Sequence, residues 1–183
     1  AKRTRTKPPD SARATRPGHN NMGDKVEIRR VVVVGAGAIG GWLAAGLDRA
    51  GADVGLLARG ATLQALQRHG LRVREGDKEV SHALRASAEP AQLGTPDLVV
   101  LAVKAPALAA VAPQVRALLG PQTAVLTAMN GVPWWFLHGL DTPLRQRPLR
   151  SVDPTGEIAA AIPATRVIGG VVHASCSVDA PGV

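Results

Sequence analysis

Arg30-Val31-Val32-Val33-Val34-Gly35-Ala36-Gly37-Ala38-Ile39-Gly40-Gly41 is the stretch that decides the fold. Four consecutive β-branched apolar residues, with no polar alternation, suit a strand buried on both faces, and such strands belong to parallel sheets covered by helices. The glycines follow at once, in the spacing Gly35-x-Gly37-x-x-Gly40. Gly35 permits a tight turn out of the strand, Gly37 lets an anionic group approach the backbone, and Gly40 lets the next helix pack close to the strand. Ala38 to Ala50 then reads as a helix ended by Gly51, and Asp53 to Ala58 as a second strand. The glycine turn therefore sits in a strand–helix–strand unit, where the free N–H groups and positive end of the helix face a phosphate.

Further along, the same alternation continues. Ala61 to His69 is a second predicted helix, closed by Gly70. Leu71 to Ala88 alternates and contains Gly76-Asp77, the pattern of a polar hairpin at the sheet edge. Pro90 to Pro96 reads as a loop, Asp97 to Val103 as a central strand, and Ala107 to Leu119 as a helix closed by Gly120-Pro121. Thr123 to Ala128 is the next strand, a Pro- and Arg-rich loop spans 132–164, and Val167 to Ala174 is the last apolar strand. Strands alternating with helices predict an α/β fold of the Rossmann type, a doubly wound, mostly parallel sheet over residues 26–183.

Composition narrows the function classes. The 183 residues carry a formal charge of +8 and 45% hydrophobic residues, but 2% aromatic ones, so the core is aliphatic. The excess charge is local: residues 1–30 hold nine Lys/Arg against three Asp/Glu, while 31–183 hold thirteen against eleven. A basic patch on a folded face would point to nucleic acid; a basic tail points there much less, and no nucleic-acid partner is expected. Residues 1–25 are predicted to be a disordered tail, since Pro, Arg, Thr and Ser dominate and no apolar periodicity appears. That tail suits a transit peptide, a polyanion-binding arm, or an extension without a role upstream of Met22. One cysteine, Cys176, excludes an internal disulfide and a Cys-based metal cluster, and fits a cytoplasmic setting. No apolar run reaches ~18 residues, so no membrane span is expected, and no apolar segment of the signal-peptide kind begins the chain.

In doubly wound sheets ligands bind at the carboxyl ends of the strands, and the distinctive residues stand there: Gly35, Arg59, Lys104 and Asn130. NAD-specific sites place an acid at the end of the second strand. Here that end reads Leu56-Leu57-Ala58-Arg59-Gly60, and Asp53 lies too early, at the strand's start. An arginine there can pair with a 2′-phosphate through two hydrogen bonds, which predicts NADP(H) as cofactor. Lys104 either faces the cofactor or extends into water. Asn130 either bonds substrate or ribose, or is simply the first residue of a favoured Asn-Gly turn. His173 reads as a core histidine and Cys176 as an inert thiol. The Trp134-Trp135-Phe136 cluster either covers a pocket or packs under its loop.

Together these residues resemble the ketopantoate reductase (2-dehydropantoate 2-reductase) family. The matching segments are GAGAIGG at 35–41, LLARG at 56–60, DLVVLAVKA at 97–105, MNGVPWW at 129–135 and IGGVVHASCSVDAPGV at 168–183. The family reduces the ketone of ketopantoate to pantoate with NADPH, a step toward coenzyme A. The resemblance implies that Gly35, Ala36, Gly37, Ala38, Ile39 and Gly40 hold the pyrophosphate and Arg59 the 2′-phosphate. It places Lys104 along the cofactor, Asn130 near nicotinamide and substrate, and the Ser175 backbone near the cofactor. It departs at Met129, where the family usually has Gln or His, and in the long 132–164 loop with Trp134-Trp135-Phe136, which matches only a subset of the family. The family's proton-donating lysine belongs to a second, helical domain beyond the Rossmann half, and no residue of this chain is a convincing catalytic acid. The chain alone is thus expected to bind NADPH and to reduce ketopantoate poorly. The alternatives are a reductase of another 2-oxo acid or an imine, and a non-catalytic NADP-binding module.

Overall fold

A computed structural model of the chain describes residues 27–141, 143–145 and 147–183. The predicted tail at 1–25 lies outside the described residues. Among the described residues eight strands and four α-helices follow in the order β1 (Arg30–Val34), α1 (Ala38–Arg49), β2 (Asp53–Leu57), α2 (Gly60–His69), β3 (Leu71–Glu75), β4 (Lys78–His82), β5 (Arg85–Ser87), β6 (Leu98–Leu101), α3 (Leu108–Leu118), β7 (Ala124–Ala128), α4 (Glu157–Ala161) and β8 (Val167–Gly170). Six strands form one sheet in the order β5-β2-β1-β6-β7-β8, and every pair in it is parallel. Counting those six in chain order gives 3-2-1-4-5-6, the Rossmann arrangement, with its reversal of direction between β1 and β6.

The valine run explains why β1 is central. Val31 to Val34 are essentially solvent-free, and their side chains alternate between the two faces. Val31 and Val33 pack with Ala44 and Ala45 of α1 and Leu66 of α2. Val32 and Val34 pack with Val111 and Val115 of α3 and Ile158 of α4. Each buried valine contributes about 1.5–3 kcal/mol relative to exposure. A polar residue at any of the four would therefore break one of the two layers.

Three expectations need correction. The predicted hairpin exists as β3 and β4 with its turn at Gly76-Asp77, but it is a separate two-stranded sheet packed against α1, not an edge of the main sheet. The edge is instead β5, three residues that pair in parallel with β2. The alternation in 71–88 was carried by two structures, and periodicity alone does not separate them. Secondly, β8 ends at Gly170, and it is an edge strand rather than a buried one: Ile168 is 50% and Val171 73% exposed. Thirdly, the 132–164 loop contains α4, whose Ile158 and Ala161 are buried against α3; five residues are too few to show a helical period. Asp153 caps this helix, accepting hydrogen bonds from the N–H groups of Ile158 (3.2 Å) and Ala159 (2.9 Å).

The aromatic cluster packs under its loop. Trp134 is buried and donates its indole N–H to the Ile162 carbonyl (3.2 Å), while Phe136 is exposed. Trp135 lies over Gly169, where a Cβ would come within 2.5 Å of its ring. The expected core histidine is also a different one. His173 is exposed beyond β8, whereas His82 is buried and joins β4 to α1 through Asp48, Nδ1 to Oδ2 2.6 Å.

Candidate cofactor site

The glycine turn leaves β1 with Gly35 at φ +95°, a conformation L side chains rarely adopt, and a Cβ there would meet Val103 Cγ1 at 2.6 Å. On Gly40 a Cβ would run into the carbonyl oxygen of Gly35. These two glycines are therefore required by the close crossing of turn, helix and β6. Gly37 is different: a Cβ there would meet nothing within 4 Å. The space above it is open, and that open space is where a phosphate can approach the backbone. Gly37 is also the N-cap residue of α1, with no side-chain cap and no acidic residue in the first turn. The N–H groups that a helix start leaves without intrahelical partners are thus uncapped, with no acidic residue in their own turn.

Two cavities flank the turn. The smaller, of about 220 Å³, is lined by Gly35 to Gly37, by Leu57, Ala58 and Arg59 at the end of β2, and by Thr62 and Gln114. Arg59 is the N-cap residue of α2, is exposed, and forms no ion pair among the described residues. Among the described residues no Asp or Glu lines this cavity. Asp53 lies at the opposite end of β2, bound by Arg30 (2.9 Å) and Arg85 (2.8 Å). Those hydrogen bonds, Arg30's first, hold its carboxyl below the ordinary value near 3.8.

The larger cleft, of about 860 Å³, runs from the turn to the ends of β6 and β7 and is lined by Lys104, Met129, Asn130, Ala174, Cys176 and Ser177 among others. Lys104 is exposed, and its carbonyl accepts the Ala107 N–H (2.9 Å) in the turn that starts α3. Asn130 has a structural task that the sequence did not show. Its amide donates to the Val172 carbonyl (3.1 Å) and accepts the Val172 N–H (2.8 Å), so it holds the chain leaving β8 against β7. Each amide atom retains capacity for one further hydrogen bond. Lys104 and Asn130 thus share one cleft, Arg59 stands in the other cavity, and Gly35 and Gly37 line both.

Ser175 belongs to neither. It is exposed and lines a third cavity, of about 350 Å³, between Ala36-Gly37-Ala38, Trp42 and the β3–β4 hairpin. The residues that sequence reasoning missed are Val178, which lines both flanking cavities, and Arg72 and Arg74 of β3, which line the third. Nothing local marks them, because a chain crossing and a hairpin docking bring them to the turn.

The family model for ketopantoate reductase PanE/ApbA matches residues 31–183. The chain belongs to the ketopantoate reductase family. It is 48% identical over 155 residues to a 2-dehydropantoate 2-reductase of Mesorhizobium japonicum, a match covering 84% of this chain and 48% of that protein. A crystal structure of a candidate ketopantoate reductase from Ralstonia solanacearum MolK2 is 50% identical and superposes with a TM-score of 0.81, over 85% of this chain and 48% of that one. The fold extends to D-mandelate dehydrogenase, solved in complex with NADH and anilino(oxo)acetate, at 22% identity and a TM-score of 0.66. That match covers 84% of this chain and 44% of the other. The chain spans about half the length of the family relatives it matches. No helix among the described residues is long and apolar enough to cross a membrane.

Proposed function

We propose that this chain supplies the cofactor site of an NADPH-dependent 2-dehydropantoate 2-reductase, with residues 26–183 as its dinucleotide-binding domain. Membership of the family supports the reaction. The observation that carries the cofactor choice is Arg59, a guanidinium at the carboxyl end of β2 with no ion-pair partner among the described residues, beside a cavity that none of their carboxylates lines. NADPH supplies a hydride when bound. Gly35 to Gly40 seat its pyrophosphate, with Ala36, Ala38 and Ile39 placing the backbone N–H groups at the helix start, and Arg59 takes the 2′-phosphate.

Lys104 and Asn130 lie along the nicotinamide side. There the ammonium and the remaining amide hydrogen bond the cofactor ribose or the oxygen of the 2-oxo acid substrate. Ser175 borders the phosphates through its backbone. Reduction of a ketone needs a proton for the developing alkoxide, and among the described residues no carboxylate or imidazole lines the cleft of about 860 Å³. We assign that proton to a group outside the described cleft, so the chain by itself turns over ketopantoate slowly or not at all. The role is that of a cytoplasmic biosynthetic enzyme leading toward pantothenate.

Titration of the chain with NADPH and NADH, followed by cofactor fluorescence, tests the reading. NADPH is expected to bind at least about tenfold more tightly, because a bidentate charged pair is lost with NADH. Equal affinities would remove Arg59 from its role.

A second reading rests on Met129. It lines the cleft beside Asn130 at a position where the resemblance implies a polar residue, and its apolar side chain favours a 2-oxo acid or an imine with a more apolar substituent than ketopantoate. A substrate panel in the presence of NADPH, scored by kcat/KM, separates the two.

A further inference from the structure

The cavity of about 220 Å³ beside the glycine turn carries three polar side chains on a lining that is otherwise aliphatic or glycine. Two of them come from α2: Arg59 at its N-cap and Thr62 in its first turn. The third, Gln114, comes from α3. Ala107, Val111 and Gln114 follow one another at helical spacing and so share one face of α3 and its N-cap. Val103, just beyond β6, extends the same aliphatic wall. Gln114 is half-buried, and its carboxamide has no hydrogen-bond partner among the described residues. An amide partly withdrawn from water at the end of an aliphatic stripe, and unanswered inside the chain, calls for a partner from outside it.

We propose that the Gln114 carboxamide selects the base of the cofactor, accepting a hydrogen bond from the 6-amino group of adenine and donating one to the ring nitrogen beside it. The inference rests on the cofactor reading above. Once the 2′-phosphate is paired with Arg59, the base carried by the same ribose lies in the same cavity. Adenine has two apolar faces and a polar edge. Val103, Ala107 and Val111 offer a face aliphatic contact, and among the described residues no aromatic side chain lines the cavity. The edge presents an amino donor flanked by ring-nitrogen acceptors. A primary amide sets a donor and an acceptor side by side, so both bonds form at once. Arg59 and Thr62 belong to the start of α2, beside the phosphate, and Gln114 is the polar side chain of the other wall.

The two helices thus take separate tasks. Arg59 responds to the 2′-phosphate whatever the base, and Gln114 responds to the base whatever the phosphate. A base without the 6-amino group leaves the glutamine carbonyl unpaired, which is the part of the interaction that a titration reads most directly.

The test compares NADPH with its purine analogue, in which hydrogen replaces the 6-amino group. Both are titrated by nicotinamide fluorescence against the full chain and against Gln114→Met, with thermal unfolding as the check on the fold. Methionine keeps the length and helix preference of glutamine and removes both polar groups. The parent is expected to bind NADPH about three- to tenfold more tightly than the analogue, and Gln114→Met to bind the two equally. Gln114→Glu keeps an acceptor for the amino group and loses the donor, so it is expected to bind NADPH more weakly than the parent and still prefer it to the analogue. Arg59→Ala is expected to weaken both cofactors alike and to leave their ratio at the parent value. A parent without preference for NADPH over the analogue, or a folded Gln114→Met that retains the parent's preference, overturns the assignment of Gln114. A parent that binds neither NADPH nor NADH overturns the cofactor reading instead.

Discussion

At the amino ends of β1, β2 and β6 the protein answers its own charges. Asp53 joins Arg30 and Arg85 across three strands, and Asp97 accepts the backbone N–H groups of Arg29 and Arg30, both at 2.9 Å. At the carboxyl ends of β2 and β6, Arg59 and Lys104 have no ion-pair partner among the described residues, and the helix that starts at Gly37 has neither a side-chain cap nor an acid in its first turn. The sheet is the same and the backbone polarity is the same. The difference lies in whether cations are neutralised inside the chain or left for a ligand. Function is read at the end where charges remain unanswered, whereas at the other end they tie strands in register.

The comparison breaks most severely at the turn itself. Gly40→Ala drives a methyl group into the Gly35 carbonyl, so we expect a loss of about 3 kcal/mol in denaturant unfolding together with loss of NADPH binding. Gly37→Ala meets open space and is expected to preserve stability while weakening NADPH, because its methyl group occupies the approach to the phosphates. A Gly40→Ala variant as stable as the parent would mean that the crossing has more room than the geometry gives it.

Next in size is the charge at the binding end. Arg59→Ala is expected to weaken NADPH by about 10- to 100-fold, to leave NADH unchanged, and to leave Tm unchanged because no internal partner is lost. Paired titrations and a thermal scan check all three. A fall in Tm would place Arg59 with the structural charges of the other end.

Asn130→Ala tests a residue with a claim to both roles. It removes two hydrogen bonds to Val172, so we expect a loss of about 1–2 kcal/mol in stability, with NADPH affinity falling only a few-fold. A large fall in affinity at unchanged stability would make the amide a direct ligand.

The smallest effect belongs to the amino end and appears only in acid. Asp53 is held below the ordinary value near 3.8 by Arg30 and then Arg85, and Asp97 by the Arg30 and then the Arg29 backbone N–H. With folded values below the unfolded ones, their contribution is complete above about pH 3.8 and is lost as pH falls through the folded values. Asp53→Asn and Asp97→Asn should therefore lower Tm slightly at neutral pH and flatten its decline below pH ~4, while NADPH affinity stays at the parent value. A changed affinity would show that the two ends are coupled.

Much of the fold was legible because it is local. Valines 31–34 cannot be satisfied except between two apolar layers, and the spacing Gly35-x-Gly37-x-x-Gly40 prescribes a crossing that only glycine allows. The order of apolar runs was enough to expect the parallel sheet. What misled was equally physical. The hairpin and β5 share one alternating stretch, α4 is shorter than two turns, and β8 carries apolar residues on an exposed edge. The site divides in the same way. Arg59 and Lys104 stand out because they follow apolar strands directly, whereas Asn130's bond to Val172, and Val178 and Arg72 at the glycine turn, depend on segments about 40 to 140 residues apart.

The sequence by itself determined the layer architecture, the glycine turn, and a cation in place of an acid at the end of β2. Those follow from side-chain volume, backbone freedom and charge at positions close in the chain. The tertiary structure alone decided that the β3–β4 hairpin docks on α1, that His82 rather than His173 is the buried histidine, and that residues 175–183 cross above Gly37. Each of these is a contact between segments that carry no local signal for one another, set by which surfaces remain uncovered once the sheet has formed.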